Sequence, residues 1–358
     1  MSGHCGSLTS GTADAELRKS FCNTLNPILN FLKQQVSNRN FPYNGVRLQS
    51  LMIRRTQTIY VTLDPFLSLR GTVLHHFDQF LAGLDEAEFP CIWMTSLTRA
   101  QLDEPRRRLG HNHPFIGESG CGVYLPEDYF HLKSGNTIRL GRFTCIPIAR
   151  PQPAAAEALE ELSSDLGISA VSLRSLSPRE LSQNTGLPAS EAEQIRMRDF
   201  DELFFFAGAS ESDIAKFADE TTLRGLTLQN LGAFWSLSCG ADFGKCIREL
   251  GGLYDRALRA HAFRVGVAIS PPAHSALAIR SDPRLKSVAA SCDRTLLLTE
   301  RQRTSESELP SEVDDDHSNV AMADVGPRSA RTDNGQNSFY LHSPGVWDDV
   351  LAAILSRK

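Results

Sequence analysis

The sequence has little that would place the protein in a membrane, outside the cell or on nucleic acid. No apolar run approaches membrane-spanning length. Residues 1–15 contain Gly, Ser and Thr where a signal peptide needs an unbroken apolar stretch. The net charge is −5, and no basic stripe is interleaved with aromatic residues. We therefore expect a soluble, cytoplasmic protein with neither a membrane nor a nucleic-acid partner.

Two further absences narrow the chemistry. The eight cysteines form no paired motif, which favours reduced, partly buried thiols over disulfides. The Gly-x-Ser-x-Gly turn that presents the nucleophile of many serine hydrolases is also missing. Neither a disulfide-stabilised fold nor a serine hydrolase therefore has support in the sequence.

The sequence does contain an alternation of short apolar strands and amphipathic helices. Apolar β-formers at 58–63 come before a helical stretch near 73–84. A second apolar run at 91–94 comes before a charged helix at about 98–109. This alternation predicts parallel strands with right-handed crossovers, and hence an α/β protein with a doubly wound parallel-sheet core. With 358 residues, 41% of them hydrophobic, the chain can fill one large core or two modest ones.

Changes in composition divide the chain into segments. Residues 1–50 are predicted to be an N-terminal extension with an amphipathic helix. Residues 51–126 and 239–358 are predicted to form the core, into which residues 127–238 insert as an α+β cap domain. Residues 300–338 contain no aromatic residue and are rich in Ser, Glu, Asp and Arg, which predicts a disordered acidic insert.

Several co-linear segments carry a resemblance to a known family. They are Met94–Ala100, Pro114–Gly120, Val123–Tyr124, Thr185–Leu187, Arg198–Glu202, Arg224–Thr227 and Ser343–Trp347. Their order, from about residue 56 to the C-terminus, resembles the haloacid-dehalogenase-like (HAD-like) phosphatases, and most closely the mannosyl-3-phosphoglycerate phosphatase family among them. The resemblance implies a HAD-like core with a cap, and a small phosphorylated sugar or sugar acid as the ligand.

The resemblance also implies a chemistry that this sequence has largely lost. In the family an Asp at a strand end attacks phosphorus, and a second Asp two residues later is the general acid/base. The nucleophile position falls on Thr62, and no Asp lies between Thr56 and Leu63 that a shift of register could supply. Asp64 is retained at the acid/base position, either as a vestigial acid or as a turn-forming residue.

The remaining signatures of the family are matched unevenly. Its phosphate-binding hydroxyl site matches Thr95 and Ser96, which could otherwise cap the helix that follows. Phe243 stands where the family has its phosphate-neutralising Lys. Ile269 and Ala273 replace two metal-binding carboxylates. We therefore predict no metal site and no cofactor, with Mg²⁺ required only if the protein is active.

A motif in the predicted cap matches the family's contacts with its sugar-acid substrate. Arg198, Asp201 and Glu202 fall on the matching positions, although Leu203 replaces the Pro expected there. The alternative is a solvated helix end with no role in binding. The sequence leaves both interpretations open.

Three functions are compatible with these residues. The first is a pseudophosphatase that keeps the fold and a phospho-sugar cleft without turnover. The second is an active, Mg²⁺-dependent mannosyl-3-phosphoglycerate phosphatase or sugar-phosphate hydrolase with a rearranged mechanism, in which Asp64 is the base. The third is a regulatory or structural protein that contacts a partner protein through residues 15–35 or 300–338. Losing several members of a catalytic unit together costs powers of ten in rate, which favours the first.

Overall fold

A computed structural model describes residues 57–63, 76–130, 135–185, 187–231, 234–269, 283–299, 329–331, 337–340 and 345–356. The strands in this part of the chain are β1 Gln57–Thr62, β2 Cys91–Met94, β3 Phe115–Gly117, β4 Gly122–Pro126, β5 Ile138–Leu140, β6 Phe143–Pro147, β7 Ala170–Ser172, β8 Glu202–Phe206, β9 Thr227–Asn230, β10 Trp235–Ser238, β11 Phe263–Ile269, β12 Arg294–Thr299, β13 Ser329–Arg331 and β14 Asn337–Tyr340. The helices are α1 Phe77–Glu86, α2 Arg99–Arg108, α3 Gln152–Leu166, α4 Pro178–Thr185, α5 Ala189–Ile195, α6 Glu211–Leu223, α7 Phe243–Leu258, α8 Pro283–Ser291 and α9 Val346–Leu355.

The larger of two sheets carries the predicted α/β core. Its ten strands follow the order β13-β14-β12-β11-β1-β2-β3-β4-β6-β5. The six strands from β14 to β3 are parallel, and β13, β4, β6 and β5 pair antiparallel at the two margins. Strand β1 lies between β11 and β2 near the middle of the sheet. The carboxyl end of β1 therefore opens at the sheet edge where parallel α/β folds place their ligand sites.

Helices cover both faces of this sheet because its strands are apolar on both sides. In β1, Ile59 faces one hydrophobic cluster and Tyr60 the other. The first cluster includes Phe77 of α1 and Trp347 of α9, whose ring centroids lie 4.8 Å apart. The second includes Ile247 of α7. Because both faces are buried, the sheet is doubly wound, as the alternation of strands and helices predicts.

A second sheet is inserted in the chain between β6 and α7. Its four antiparallel strands follow the order β7-β8-β10-β9. Phe204 of β8 packs with Leu159 of α3 and Phe217 of α6 on one face. The next residue towards the N-terminus, Leu203, packs with Leu181 of α4 on the other face. The alternation of side chains along β8 thus buries both faces, and this inserted α+β layer agrees with the predicted fold class.

Two segments differ from the sequence-based boundaries. Residues 138–147, which we expected in the cap, form β5 and β6 and pair with the larger sheet, because Phe143 and Cys145 alternate inwards against the core. The predicted disordered insert is wrong for residues 329–331, which form β13, and for the start of β14. The division into core and cap domains stays a prediction.

Other expectations concern residues that the structure does not describe. The predicted helix at 15–35 and residues 300–328 lie outside the described residues. Within the described ranges, no helix is long and apolar enough to cross a membrane. The described cysteines are free thiols, in line with the expectation of reduced cysteines.

Candidate functional site

The end of β1 places Thr62 at the carboxyl edge of the larger sheet. Thr62 lies opposite Met94 in the β1–β2 register, and the next amide, Leu63 N–H, donates to the Met94 carbonyl at 2.8 Å. The Thr62 hydroxyl donates to the Val267 carbonyl of β11 at 3.5 Å. The residue at the nucleophile position therefore bonds to the sheet itself. Asp64 lies outside the described residues.

The loop after β2 contains the two predicted phosphate-binding residues. Thr95 is fully buried, and its hydroxyl oxygen accepts the Leu97 N–H at 3.1 Å. Ser96 is half-buried. Thr98 then caps α2 and exchanges hydrogen bonds with Gln101 in a capping box. The helix cap is thus Thr98, while Thr95 shapes the loop and Ser96 is the member of the pair nearer to solvent.

A tight turn after β3 packs against this loop. Glu118 N–H donates to the Leu97 carbonyl at 3.1 Å, and Ser119 N–H donates to the Thr95 carbonyl at 2.9 Å. Both turn residues have positive φ, +48° at Glu118 and +59° at Ser119. A left-handed backbone is unfavourable for residues other than glycine, and such strain concentrates at functional sites. The turn is therefore held by its contacts with the 95–97 loop and its surroundings.

The N-terminus of α7 occupies the position of the family's phosphate-neutralising Lys. Phe243 is 5% exposed and packs in the second hydrophobic cluster, whereas Lys245 is exposed. Asp242 caps the helix, its carboxylate accepting the Gly244 and Lys245 amides. Burial raises the pKa of Asp242, but hydrogen bonds from Ser287 and these amides outweigh burial and lower it. Position 243 is thus a buried apolar position, and Phe243 cannot supply the positive charge that the family resemblance implies there.

The described residues do not fit the magnesium ion that the family resemblance implies. A hard divalent cation needs several oxygen ligands, carboxylates above all. At this edge the described strands offer the Thr62 hydroxyl, and β11 ends at Ile269. Within the described ranges, no group of three His, Cys, Asp or Glu could hold a metal ion. Ala273 lies outside those ranges.

Arg198 and Asp201 form a buried ion pair at the start of β8. Arg198 is 6% exposed and Asp201 is fully buried. The Arg198 Nη2 donates to Asp201 Oδ2 at 2.9 Å and to the Ser96 carbonyl at 2.6 Å, and Ser236 Oγ donates to the same carboxylate at 2.6 Å. Burial disfavours the guanidinium charge, but the Asp201 carboxylate outweighs this effect and raises the pKa of Arg198. The pair thus joins the inserted layer to the 95–97 loop.

Glu202 is engaged in a separate buried network. It is 2% exposed, and its carboxylate accepts hydrogen bonds from Gln152 and Ser172. The structure therefore brings Arg198 to the predicted phosphate loop, whereas Glu202 bonds within the inserted layer. Contact of these side chains with a substrate stays a prediction.

Glu118 is the buried carboxylate that the sequence interpretation did not assign. Its oxygens accept the N–H groups of Asp199 at 2.9 Å and Phe200 at 2.8 Å, and more weakly that of Asp201 at 3.4 Å. Burial raises the pKa of Glu118 to about 8, and the Asp201 charge adds to this rise while Arg198 opposes it. The sequence does show an acidic residue between the apolar β3 and a Gly-rich turn. Its hydrogen-bond partners, however, lie some 80 positions along the chain, where a local pattern does not report them.

This raised pKa predicts that stability falls as the pH rises. Between the ordinary carboxyl pKa of 4.5 and about 8, the folded protein binds more protons at Glu118 than the unfolded chain does. The free energy of unfolding should therefore decrease with pH in this window, by at most about 1.4 kcal/mol per pH unit. We expect the free energy of unfolding, measured with urea from pH 5 to pH 9 (roughly this window), to fall more steeply with pH in the wild type than in Glu118→Gln.

The comparison with the variant is needed because another group opposes the effect. Burial lowers the pKa of His111 well below 6.5, so His111 contributes stability that increases with pH through that range. Identical slopes in wild type and Glu118→Gln would show that Glu118 does not titrate as expected.

Comparison with known proteins shows what this chain is similar to. No family model matches the chain. Over 196 residues it is 29% identical to the glucosyl-3-phosphoglycerate/mannosyl-3-phosphoglycerate phosphatase of Methanococcoides burtonii, covering 53% of this chain and 72% of that protein. Over 208 residues it is 24% identical to the mannosyl-3-phosphoglycerate phosphatase of Pyrococcus furiosus, covering 56% and 82%. Among solved structures, a haloacid dehalogenase-like hydrolase from B. subtilis is 14% identical, with a TM-score of 0.44, covering 68% of this chain and 89% of its own.

The curated relatives confirm the resemblance drawn from the motifs. The chain is a HAD-like protein of the phosphatase type. Within that superfamily, its relatives are the mannosyl-3-phosphoglycerate phosphatases.

Proposed function

We propose that this protein is a pseudophosphatase, which binds a phosphorylated sugar or sugar acid at the carboxyl edge of its larger sheet without hydrolysing it at an enzymatic rate. The observation that carries the proposal is the hydrogen bond between the Thr62 hydroxyl and the Val267 carbonyl. Threonine has no carboxylate to attack phosphorus, and a hydroxyl that donates to a backbone carbonyl is a poor nucleophile. The apolar burial of Phe243 at the Lys position supports the same conclusion.

The proposed ligand is suggested by the relatives and by the polar loop that remains. The curated relatives are named for phosphorylated glucosyl- and mannosylglycerates, and mannosyl-3-phosphoglycerate is therefore the ester to test. The Ser96 hydroxyl and the surrounding peptide groups can donate to phosphoryl oxygens without a metal ion. Thr95, with its hydroxyl accepting the Leu97 amide, supports the shape of this loop.

We expect mannosyl-3-phosphoglycerate to bind with the same affinity in Mg²⁺ and in excess EDTA, because the described site has no ligand set for the metal. Ser96→Ala should weaken binding by about tenfold, the loss of one hydrogen bond to a charged group. Ser175, which lies in the inserted layer and bonds the Ser172 carbonyl, provides the matched control, and Ser175→Ala should bind like the wild type. Isothermal titration calorimetry measures all four affinities. Binding that requires Mg²⁺ would contradict the proposal.

Hydrolysis is tested separately with the same ester. Phosphate release by the wild type in Mg²⁺ should not exceed that of Asp64→Ala, if Asp64 is vestigial. Turnover by the wild type that disappears in Asp64→Ala would instead support an active enzyme with a rearranged mechanism.

A further inference from the structure

Three consecutive carbonyl groups of the 95–97 loop are each held by a donor from outside the loop. The Thr95 carbonyl accepts Ser119 N–H at 2.9 Å, and the Leu97 carbonyl accepts Glu118 N–H at 3.1 Å. Between them, the Ser96 carbonyl accepts the Arg198 guanidinium at 2.6 Å. The negative ends of these peptide groups therefore all point towards the turn after β3 and the inserted layer.

This arrangement fixes the direction of the amides as well. In a trans peptide, the N–H of one residue points opposite to the C=O of the residue before it. The bond from Ser119 to the Thr95 carbonyl thus directs the Ser96 N–H away from the turn after β3. The bond from Arg198 to the Ser96 carbonyl likewise directs the Leu97 N–H away from Arg198, and this N–H donates to the Thr95 hydroxyl. The Thr95 N–H in turn donates to the Ile116 carbonyl at 3.0 Å, so hydrogen bonds fix the orientation of the 95–97 loop on both of its sides.

Arg198 is placed to act through the loop. It is 6% exposed, and its Nε and Nη2 both bond to Asp201, while Nη2 also donates to Ser96. Two of its three nitrogens are therefore committed to partners inside the protein.

Glu118 completes the connection between Arg198 and the loop. Its N–H bonds to the loop, and its carboxylate accepts the Asp199 and Phe200 amides that directly follow Arg198. A movement of the chain at Arg198 would break bonds at Glu118, and the reverse holds too. Glu118 and Arg198, both less than a tenth exposed, are thus linked to each other and to the same loop by hydrogen bonds.

We propose that Glu118 and Arg198 are positioning residues that together hold the 95–97 loop in its anion-binding form, with Arg198 acting from behind the loop instead of touching the ligand. This inference rests on the proposed function, since it assigns the residues that shape the proposed binding loop. It differs from the expectation, carried over from the family resemblance, that Arg198 contacts the sugar acid, and the two roles are separated by experiment.

Two probes separate positioning from contact. Inorganic phosphate lacks the carboxylate and sugar of mannosyl-3-phosphoglycerate. If Arg198 holds the loop, Arg198→Lys should weaken both probes by the same factor, about tenfold, because a Lys cannot reproduce the forked bonds to Asp201 and Ser96. Glu118→Gln should also weaken both equally, since its amide NH₂ would face backbone donors. A loss for the sugar-acid ester alone would show direct contact and overturn the proposal.

Arg106 offers a matched control within the same chain. It is 5% exposed and donates to the His113 carbonyl at 2.9 Å, as Arg198 does to Ser96, but it belongs to α2 and bonds at the other end of that helix. Arg106→Lys should leave both affinities unchanged under conditions in which every variant is folded. Equal weakening by Arg106→Lys and Arg198→Lys would point to general destabilisation and overturn the assignment.

A measurement without ligand separates this inference from the proposed function. Hydrogen exchange at the Leu97 amide, which donates to the Thr95 hydroxyl, and at the Ser119 amide, which donates to the Thr95 carbonyl, should be about tenfold faster in Arg198→Lys than in wild type, and unchanged in Arg106→Lys. If the wild type binds neither probe but the exchange differs as expected, the proposed function fails while the role of Arg198 in holding the loop stands. If the wild type binds and neither affinity nor exchange changes in Arg198→Lys, the positioning role fails alone.

Discussion

Thr62→Asp combined with Ile269→Asp and Ala273→Asp is expected to convert the protein into a Mg²⁺-dependent phosphatase. The three substitutions restore the nucleophile and the two metal-binding carboxylates that the family resemblance implies, so an attacking oxygen and a charge-offsetting ion return together. Removing one member of a catalytic unit commonly costs several powers of ten. We therefore expect phosphate release from mannosyl-3-phosphoglycerate to rise by at least about a thousandfold over wild type.

The missing Lys is best restored in a second step. Phe243 is buried in the second hydrophobic cluster, and replacing a buried Phe commonly costs about 3–5 kcal/mol. Phe243→Lys should therefore raise activity further only in protein that remains folded by circular dichroism.

The control for this experiment is the same triple variant with Thr62→Asn in place of Thr62→Asp. Asn has the size of Asp but no nucleophilic carboxylate, so this protein should remain inactive. A folded Thr62→Asp triple variant that binds Mg²⁺ and releases no phosphate, even after Phe243→Lys is added, would contradict our inference that the lost side chains account for the absence of hydrolysis.

The second large effect concerns the ion pair beneath the 95–97 loop. Asp201→Ala should destabilise the protein by about 3–5 kcal/mol, because it leaves the Arg198 charge buried without its partner. It also removes the acceptor of the Ser236 hydroxyl. Urea unfolding measures the loss.

An exposed pair of the same chemistry provides the comparison. Arg224 bonds Asp165 at 2.8 Å, but Asp165 is 59% exposed and its loss leaves Arg224 in contact with water and Glu220. Asp165→Ala should therefore leave the unfolding free energy unchanged within error. Similar losses in the two variants would mean that burial of the Arg198–Asp201 pair does not set its energetic importance.

The local sequence pattern was sufficient to predict central strands of the larger sheet. The apolar run at 58–63 predicted β1, found at Gln57–Thr62, and the run at 91–94 predicted β2, found at Cys91–Met94. Both contain consecutive residues that face opposite hydrophobic layers, so composition alone marks them as buried strands. The end of β1 was predicted to within one residue, which is sufficient to place Thr62 near the carboxyl edge of the sheet.

The contacts around the candidate site could not be predicted in this way. Glu118 bonds residues 81 to 83 positions away, and Arg198 bonds Ser96 across 102 positions. No periodicity within a window of residues reports such pairs. Asp201 and Glu202 are adjacent and acidic, yet Asp201 pairs with Arg198, whereas Glu202 bonds Gln152 and Ser172. The difference arises because successive side chains at the start of β8 point to opposite faces.

The hairpin of β5 and β6 was missed for a different reason. Residues 138–147 fall within the segment 127–238 that we predicted as the cap. Their assignment to the larger sheet depends on backbone pairing with β4, which the side-chain pattern does not report.

The placement of β1 has a consequence for folding during synthesis on the ribosome. One neighbour, β2, emerges soon after β1, but the other, β11, lies across a separation of 205 residues between Thr62 and Val267. Until that distant strand has been synthesised, the buried strand β1 presents an unpaired edge. Long-range parallel pairing of this kind slows folding and leaves the nascent chain open to aggregation. The edge of β1 therefore needs protection from aggregation while the whole inserted layer is being translated.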